Sequence, residues 1–318
     1  MLNYNESKIF LKRADNEVEE LAGKSLDCML NTSGYAFEIC EQLTRTISAL
    51  TNQECDAYIL GEIAMGISNE STKMQVFLDV GRNNYYAPRD YKKNFNDIKT
   101  IQKWLSKDPN FKVLRINPHL PSLNVCLRSS NDVCEISVTN GLSVQLSCMI
   151  GHFFTIQPEA IKFYHFIRLW LKINGVKFKT FNVALLVIHY LQTSNFMPSA
   201  YRAQKNIQLE FIEDCATSFD SGKTISDYGI KKLHYYYSYV RSFFRYYAKF
   251  DYKNNVVSTY YGYAMRKTDH PKLDYYSPII IPAFINQRSN SSHRVSSAEL
   301  DNFINICIAS YDFLDNDL

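Results

Sequence analysis

The sequence predicts a mixed α+β fold in two lobes, a small sheet-and-helix lobe followed by a mostly helical one. Three observations carry that prediction. Apolar and polar residues alternate with period two only within roughly residues 51–140, as strands require. Helical spacing dominates from Leu142 onward. The chain has 318 residues, 46% of them apolar and 21% charged, which is enough material for two cores.

Taken in order, Glu6 to Leu21 and Tyr35 to Leu50 read as amphipathic helices, with Ile9, Phe10, Val18 and Leu21, then Phe37, Ile39, Leu43 and Ile47, at the apolar positions. Tyr58-Ile59-Leu60 is a short strand feeding Gly61, and Gly66 sits in a polar turn. Met74 to Val80 then alternates as a second strand. A helix is expected at Lys99 to Ser106, followed by strands at Phe111 to Ile116, Leu123 to Leu127 and Val133 to Val138, with Ser129-Ser130-Asn131-Asp132 turning between the last two. Helices are expected at Val144 to Phe154, Pro158 to Ile173, Phe181 to Gln192 and along Asp227 to Phe250, and the polar stretch 286–297 reads as a loop.

The segment Gly61 to Asp79, GEIAMGISNESTKMQVFLD, carries the most information. Phosphoryl transfer to a 3′ hydroxyl uses two divalent cations about 3.5 to 4 Å apart, held by carboxylates on a rigid sheet. Two ligands two residues apart on one strand meet that need, because they share a face. This strand-turn-strand outline resembles the noncanonical poly(A) polymerases and terminal uridylyltransferases, whose motif reads Gly-Ser, a loop with a second Gly, then Asp-x-Asp. In that register Glu62 stands for the Ser, Gly66 matches the loop glycine, and Lys73-Met74-Gln75 occupies the Asp-x-Asp. Cys134 to Asn140, CEISVTN, is similar to the strand with the third catalytic Asp, and Glu135 sits at that position. Ile161 to Lys172 resembles the helix whose two basic residues hold the triphosphate, which places Arg168 and Lys172 there, one turn apart on one face. Phe244 to Tyr252, FRYYAKFDY, with Val256-Val257-Ser258 and Gly262, is similar to the late Phe-x-x-Tyr-Tyr and Phe-Asp-Tyr signature. Gln145-Leu146-Ser147 replaces His-Asn-Thr, so the ribose-binding Asn gives way to Leu146, and Phe181 stands where a Tyr stacks on the base.

The resemblance implies a bilobed nucleotidyltransferase fold, with residues 1–50 forming N-terminal helices on the helical lobe, 51–140 the nucleotidyltransferase-like sheet domain, and 141–318 a helical poly(A)-polymerase-associated-like domain. It also implies degenerate catalytic positions at Lys73, Gln75 and Glu135, and a nucleotide-binding remnant at Arg168, Lys172 and Phe181. Asp79 shares the face of Gln75 but lies four residues, roughly 13 Å, along the strand. A lysine side chain aimed into the site opposes a divalent ion at a cost of roughly 8 kcal/mol before solvent relaxes, for about 4 Å and an effective dielectric of about 20. The expected protein is therefore a pseudoenzyme without metal or cofactor, an interaction module that forms homo- or heterodimers with a nucleotidyltransferase-fold protein and keeps RNA among its expected ligands. The competing expectation is an active 3′-terminal uridylyl- or adenylyltransferase using Mg²⁺ or Mn²⁺ on an atypical site of Glu70, Asp79 and Glu135. A metal-free nucleotide sensor built on Arg168, Lys172 and Phe181 lies between the two. Against all of these, Arg168 and Lys172 also read as a solvated helix edge, and Lys73 as drift after catalysis was lost.

Composition narrows the field further. A net charge of +3 and a pI near 8.3 fall short of a strongly basic nucleic-acid footprint. Eight cysteines without a C-x-x-C pair read as reduced, buried thiols of an intracellular protein, neither a disulfide frame nor a zinc site. No window is apolar enough to cross a membrane and the first thirty residues lack a signal-peptide core, so cytoplasm or nucleus is the expected compartment. Twenty-three tyrosines crowd especially into His234 to Tyr252, where Tyr236, Val240, Phe243, Phe244 and Tyr247 form a packed helix face in preference to an RNA-stacking surface. His165 and His189, on apolar helix faces, read as satisfied core histidines.

Overall fold

A computed structural model describes residues 10–11, 14–30, 35–69, 72–129, 131–270, 273 and 276–316. The chain forms two compact units: residues 24–152 with 208–218, and residues 1–23 with 153–207 and 219–318. Within the helix expected over Glu6 to Leu21, Phe10 and Leu11 are helical and helix α1 (Asp15–Leu30) takes up the rest and runs past Leu21; residues 6–9 and 12–13 of that expectation lie outside the described residues.

The first unit is built on a five-stranded sheet. Helix α2 (Tyr35–Thr51) leads into β1 (Cys55–Leu60) and β2 (Met74–Val80). Helix α3 (Tyr91–Leu105) precedes β3 (Phe111–Ile116), β4 (Ser122–Leu127) and β5 (Val133–Ser137), and α4 (Leu142–Ile156) follows. The strand order is β1-β2-β5-β4-β3; only β2 and β5 run parallel, and the other neighbours are antiparallel. Period two then sorts the side chains. Met74, Val76 and Leu78 of β2 and Cys134 and Ile136 of β5 face a core shared with Ile39, Leu43 and Ile47 of α2 and Ile98, Ile101 and Leu105 of α3. Helix α2 thus belongs to the sheet unit and does not join the helical lobe as 1–50 was expected to, because its apolar stripe is buried against the strands. Helix α3 starts eight residues before the expected Lys99, because the Asp90 carboxylate caps it by accepting the Lys93 N–H at 3.0 Å.

In the second unit, α5 (Pro158–Ile173) and α6 (Thr180–Thr193) lie close to their expected spans, and α6 is buried on every side from Asn182 to Gln192. The expected helix from Asp227 to Phe250 is interrupted. A single turn, Ile225–Tyr228, stops at Gly229, whose φ of 56° is the left-handed end favoured by glycine. A 3₁₀ turn, Tyr236–Tyr239, then leads into α7 (Val240–Ala248). Tyr236, Val240, Phe243, Phe244 and Tyr247 are each at most 1% exposed, so the tyrosine-rich segment does pack as core. Tyr247 donates its hydroxyl to the Leu186 carbonyl at 2.7 Å, and the Trp170 and Phe244 rings meet at 4.5 Å. Helix α8 (Ser297–Asn316) adds Phe303, Ile306 and Cys307 to this core, and Ser310 accepts the Trp170 indole N–H at 2.9 Å. Stretch 286–297, expected as a loop, forms a strand at Asn286–Asn290 paired with Pro282–Ala283. The pairing is stabilised from outside the segment: the Ile281 N–H donates to Asn290 Oδ1, and Ser292 Oγ donates to the Ile279 carbonyl at 2.7 Å.

Candidate functional site

The parallel register of β2 and β5 decides the site. It sets Gln75 beside Glu135, while antiparallel pairing sets Leu60 opposite Gln75 and Asn124 opposite Glu135, giving one row across four strands on the face away from the α2/α3 core. Gln75 Nε2 donates to Glu135 Oε2 at 3.3 Å, and Ser122 Oγ donates to Glu135 Oε1 at 2.6 Å. Both oxygens of the carboxylate are therefore held by neutral donors.

Above this row the chain turns sharply after β1. Gly61 has φ of 73°, a conformation that favours glycine, and a Cβ built there would fall 2.2 Å from Gln75 Oε1, so a larger residue would push the Gln75 carboxamide aside. The turn is anchored by Ser147 of α4, whose Oγ accepts the Gly61 N–H at 3.0 Å and donates to the Ser143 carbonyl at 2.8 Å. Glu62 accepts a hydrogen bond from Thr72 Oγ1 at 3.1 Å. Gln145 donates to the Tyr85 hydroxyl at 2.8 Å, and burial pushes that phenol up to about 12. Leu146, expected from the resemblance to stand for a ribose-binding Asn, is half-buried.

A cavity of about 300 Å³ opens on this face, lined by Leu60, Gln75, Arg89, Ser122, Glu135 and Asn140 among others. Its one cation is neutralised. Arg89 grips Glu213 through Nε at 2.8 Å and Nη2 at 2.7 Å, and Asn140 Nδ2 donates to the same carboxylate at 3.2 Å. The Arg89 hydrogen bond holds the Glu213 carboxyl below its ordinary range. Nothing in the sequence pattern pointed to this pair, whose members are 124 positions apart.

Of the expected site residues, Gln75 and Glu135 are brought into contact. Lys73, expected to aim its charge into the site, is exposed just before β2 and does not line the cavity. Asp79 is buried and accepts the Asn84 N–H at 2.8 Å, level with Asp56 of β1 and four residues from Gln75. Glu70 lies outside the described residues. Arg168, Lys172 and Phe181 belong to the helical unit. Arg168 lies over the Tyr164 ring, 6.0 Å from its centre, Lys172 is exposed, and Phe181 is half-buried in the first turn of α6. His165 is pushed down to about 3 by burial and by Arg168.

A pair of divalent cations requires several oxygen ligands on a rigid frame. The row supplies one carboxylate, engaged on both oxygens, so this donor set does not fit such a pair. Among the described residues no cluster of three His, Cys, Asp or Glu side chains is placed to hold a metal ion.

Comparison with known proteins fixes the architecture. Residues 238–295 match the family model described as Cid1 family poly A polymerase. The apo structure of mtPAP superposes with a TM-score of 0.78 at 17% identity, over 96% of this chain and 71% of that one. The chain has the nucleotidyltransferase fold of noncanonical poly(A) polymerases and terminal uridylyltransferases. The Cid1 poly(U) polymerase with bound MgGTP gives a TM-score of 0.74 at 14% identity, covering 96% of this chain and 94% of its own. A cytoplasmic RNA terminal U-transferase gives 0.69 at 15% identity, covering 97% and 93%. The α+β expectation and the family resemblance are both borne out, and no helix among the described residues is long and apolar enough to cross a membrane.

Proposed function

We propose that this chain is a catalytically inactive member of the poly(A) polymerase and terminal uridylyltransferase fold, a pseudoenzyme that works as an interaction module. One observation carries the reading. Where the resemblance puts metal-binding carboxylates, Gln75 and Ser122 satisfy a lone Glu135 with neutral hydrogen bonds. A carboxylate paired this way needs no cation to offset a second charge, and a site without such charge density gives the triphosphate no counter-ion. The partner is a second nucleotidyltransferase-fold chain, in a homo- or heterodimer, with RNA as a further ligand. Arg168, Lys172 and Phe181 stand as the remnant of a nucleotide site, and the compartment is cytoplasm or nucleus.

The test is a 3′-extension assay on a single-stranded RNA with UTP or ATP and Mg²⁺ or Mn²⁺. No extension is expected. Extension that disappears in Glu135→Gln overturns the pseudoenzyme reading. Light scattering addresses assembly separately: a mass above that of one chain is expected, and a monomer at high concentration sinks the homodimer.

A further inference from the structure

A second cavity, of about 220 Å³, lies at the other end of β2. Val80, on its wall, is five residues from Gln75, roughly 16 Å along the strand and on the opposite face. One stripe of α3 forms its floor: Lys93, Asp97, Thr100, Ile101 and Trp104 recur at helical spacing. Val138, Gln53, Asn83 and Asn84 complete it. Beside it, Gly81 turns the chain after β2 at φ of 70°, and the Asn83 and Gln53 carboxamides come within 2.9 and 3.4 Å of where a Cβ would stand there.

We propose that this cavity binds a single neutral nucleobase or nucleoside, away from the Gln75–Glu135 row and independently of metal. Three features select that class. The first is charge: Lys93 Nζ is held by Asn84 Oδ1 at 2.6 Å and Asp97 Oδ2 at 3.1 Å, so the lining is balanced and offers no surplus cation to a phosphate. The second is polar capacity: the Trp104 indole N–H, half-buried, and the exposed carboxamides of Gln53 and Asn83 make no hydrogen bond to another described residue, and together they present both donors and acceptors at the mouth. The third is shape: Trp104 beside Ile101, Val80 and Val138 gives an aromatic and aliphatic wall, and the volume is below the roughly 300 Å³ at which drug-sized sites begin. A small planar heterocycle stacks on such an indole while its edge meets the carboxamides.

The chain reports on the site itself. Its two tryptophans are Trp104 and Trp170, and Trp170 is fully buried with its N–H bonded to Ser310, so a nucleoside-dependent change in fluorescence reads Trp104. The full chain is titrated with adenosine, guanosine, uridine and cytidine in the presence of a chelator. Saturable quenching by at least one nucleoside is expected, with no gain from the corresponding triphosphate. Asn83→Ala and Gln53→Ala, each checked for an unchanged thermal midpoint, are expected to weaken it by about tenfold, the loss of a hydrogen bond that ligand and site both need. Arg168→Ala is expected to leave it unchanged, which separates this cavity from the nucleotide remnant of the helical unit. Absence of saturable quenching with all four nucleosides, or equal affinity in both carboxamide variants, overturns the proposal.

Discussion

Replacing Gln75 with glutamate tests the row across β2 and β5 directly, because it swaps a donor for a charge and changes little else in shape. In the native protein Gln75 Nε2 donates to Glu135 Oε2 at 3.3 Å. In Gln75→Glu that bond is lost and two carboxylates face each other. Two unit charges about 4 Å apart repel by about 4 kcal/mol at an effective dielectric of about 20. Both residues are half-buried, so solvent and salt screen part of this and rotation about the side-chain bonds relieves more. A net destabilisation of about 1–2 kcal/mol remains, which lowers the thermal midpoint by roughly 3–6 °C for units of this size. Acidification protonates one carboxyl and should restore most of the loss. Thermal melts of both proteins, at neutral and mildly acid pH, with and without Mg²⁺ or Mn²⁺, read the effect. A variant as stable as the native protein at neutral pH in chelator refutes the geometry on which the pseudoenzyme reading rests. Cation-dependent rescue confined to the variant supports it, since the second charge is then what the native site lacks.

Three further outcomes are expected. Gly61→Ala combines left-handed backbone strain with the 2.2 Å clash against Gln75 and is expected to cost about 1–3 kcal/mol; adding Gln75→Ala recovers the clash but not the strain, which a double-mutant cycle by chemical denaturation resolves. His189 is fully buried, with Tyr246 and Ser258 at its two nitrogens, and burial pushes it down to about 4. Below its ordinary value the unfolded chain therefore binds the proton first, so stability falls as pH drops from about 6.5 to about 4, by about 3 kcal/mol at most, and a His189→Gln variant should show a flatter profile in denaturant melts. Glu213→Ala frees Arg89 and Asn140 and is expected to cost roughly 1 kcal/mol, an exposure-discounted figure because Arg89 is half exposed; the cost should shrink as pH falls through the lowered Glu213 value, where the native pair is itself lost.

Much of the fold is legible in local chemistry alone. Pro158 to Ile173 was readable from a proline at the start and an unbroken apolar spacing, and Phe111 to Ile116 from alternation between turns. The strand at Asn286–Asn290 was not, because it is fastened by the Asn290 carboxamide, which accepts the Ile281 N–H and donates to the Ile279 carbonyl, rather than by a hydrophobic face. The long helix expected from Asp227 failed at Gly229, where a left-handed residue stops the turn, while the apolar spacing beyond it remained helical. At the site, Gln75 and Glu135 were found only because the family motif assigned them positions; their contact follows from a parallel register between strands 60 residues apart. Lys73 was misplaced by period-two reasoning, which holds inside β2 but not at the exposed residue before it. Glu213 could not be anticipated at all: its partner lies 124 residues away and no periodicity links them.

The enclosure of α6 on all sides has a consequence for how the helical unit comes apart. A helix with no face toward water cannot fray sideways, and from Asn182 to Gln192 its amides reach solvent only when the surrounding helices separate. Those amides should be among the slowest to exchange with deuterium, at a rate set by global opening, whereas the half-buried residues of β1, on the edge of the other unit's sheet, should exchange through small local excursions. Proteases that need an extended substrate would then cut the sheet edge long before they reach α6.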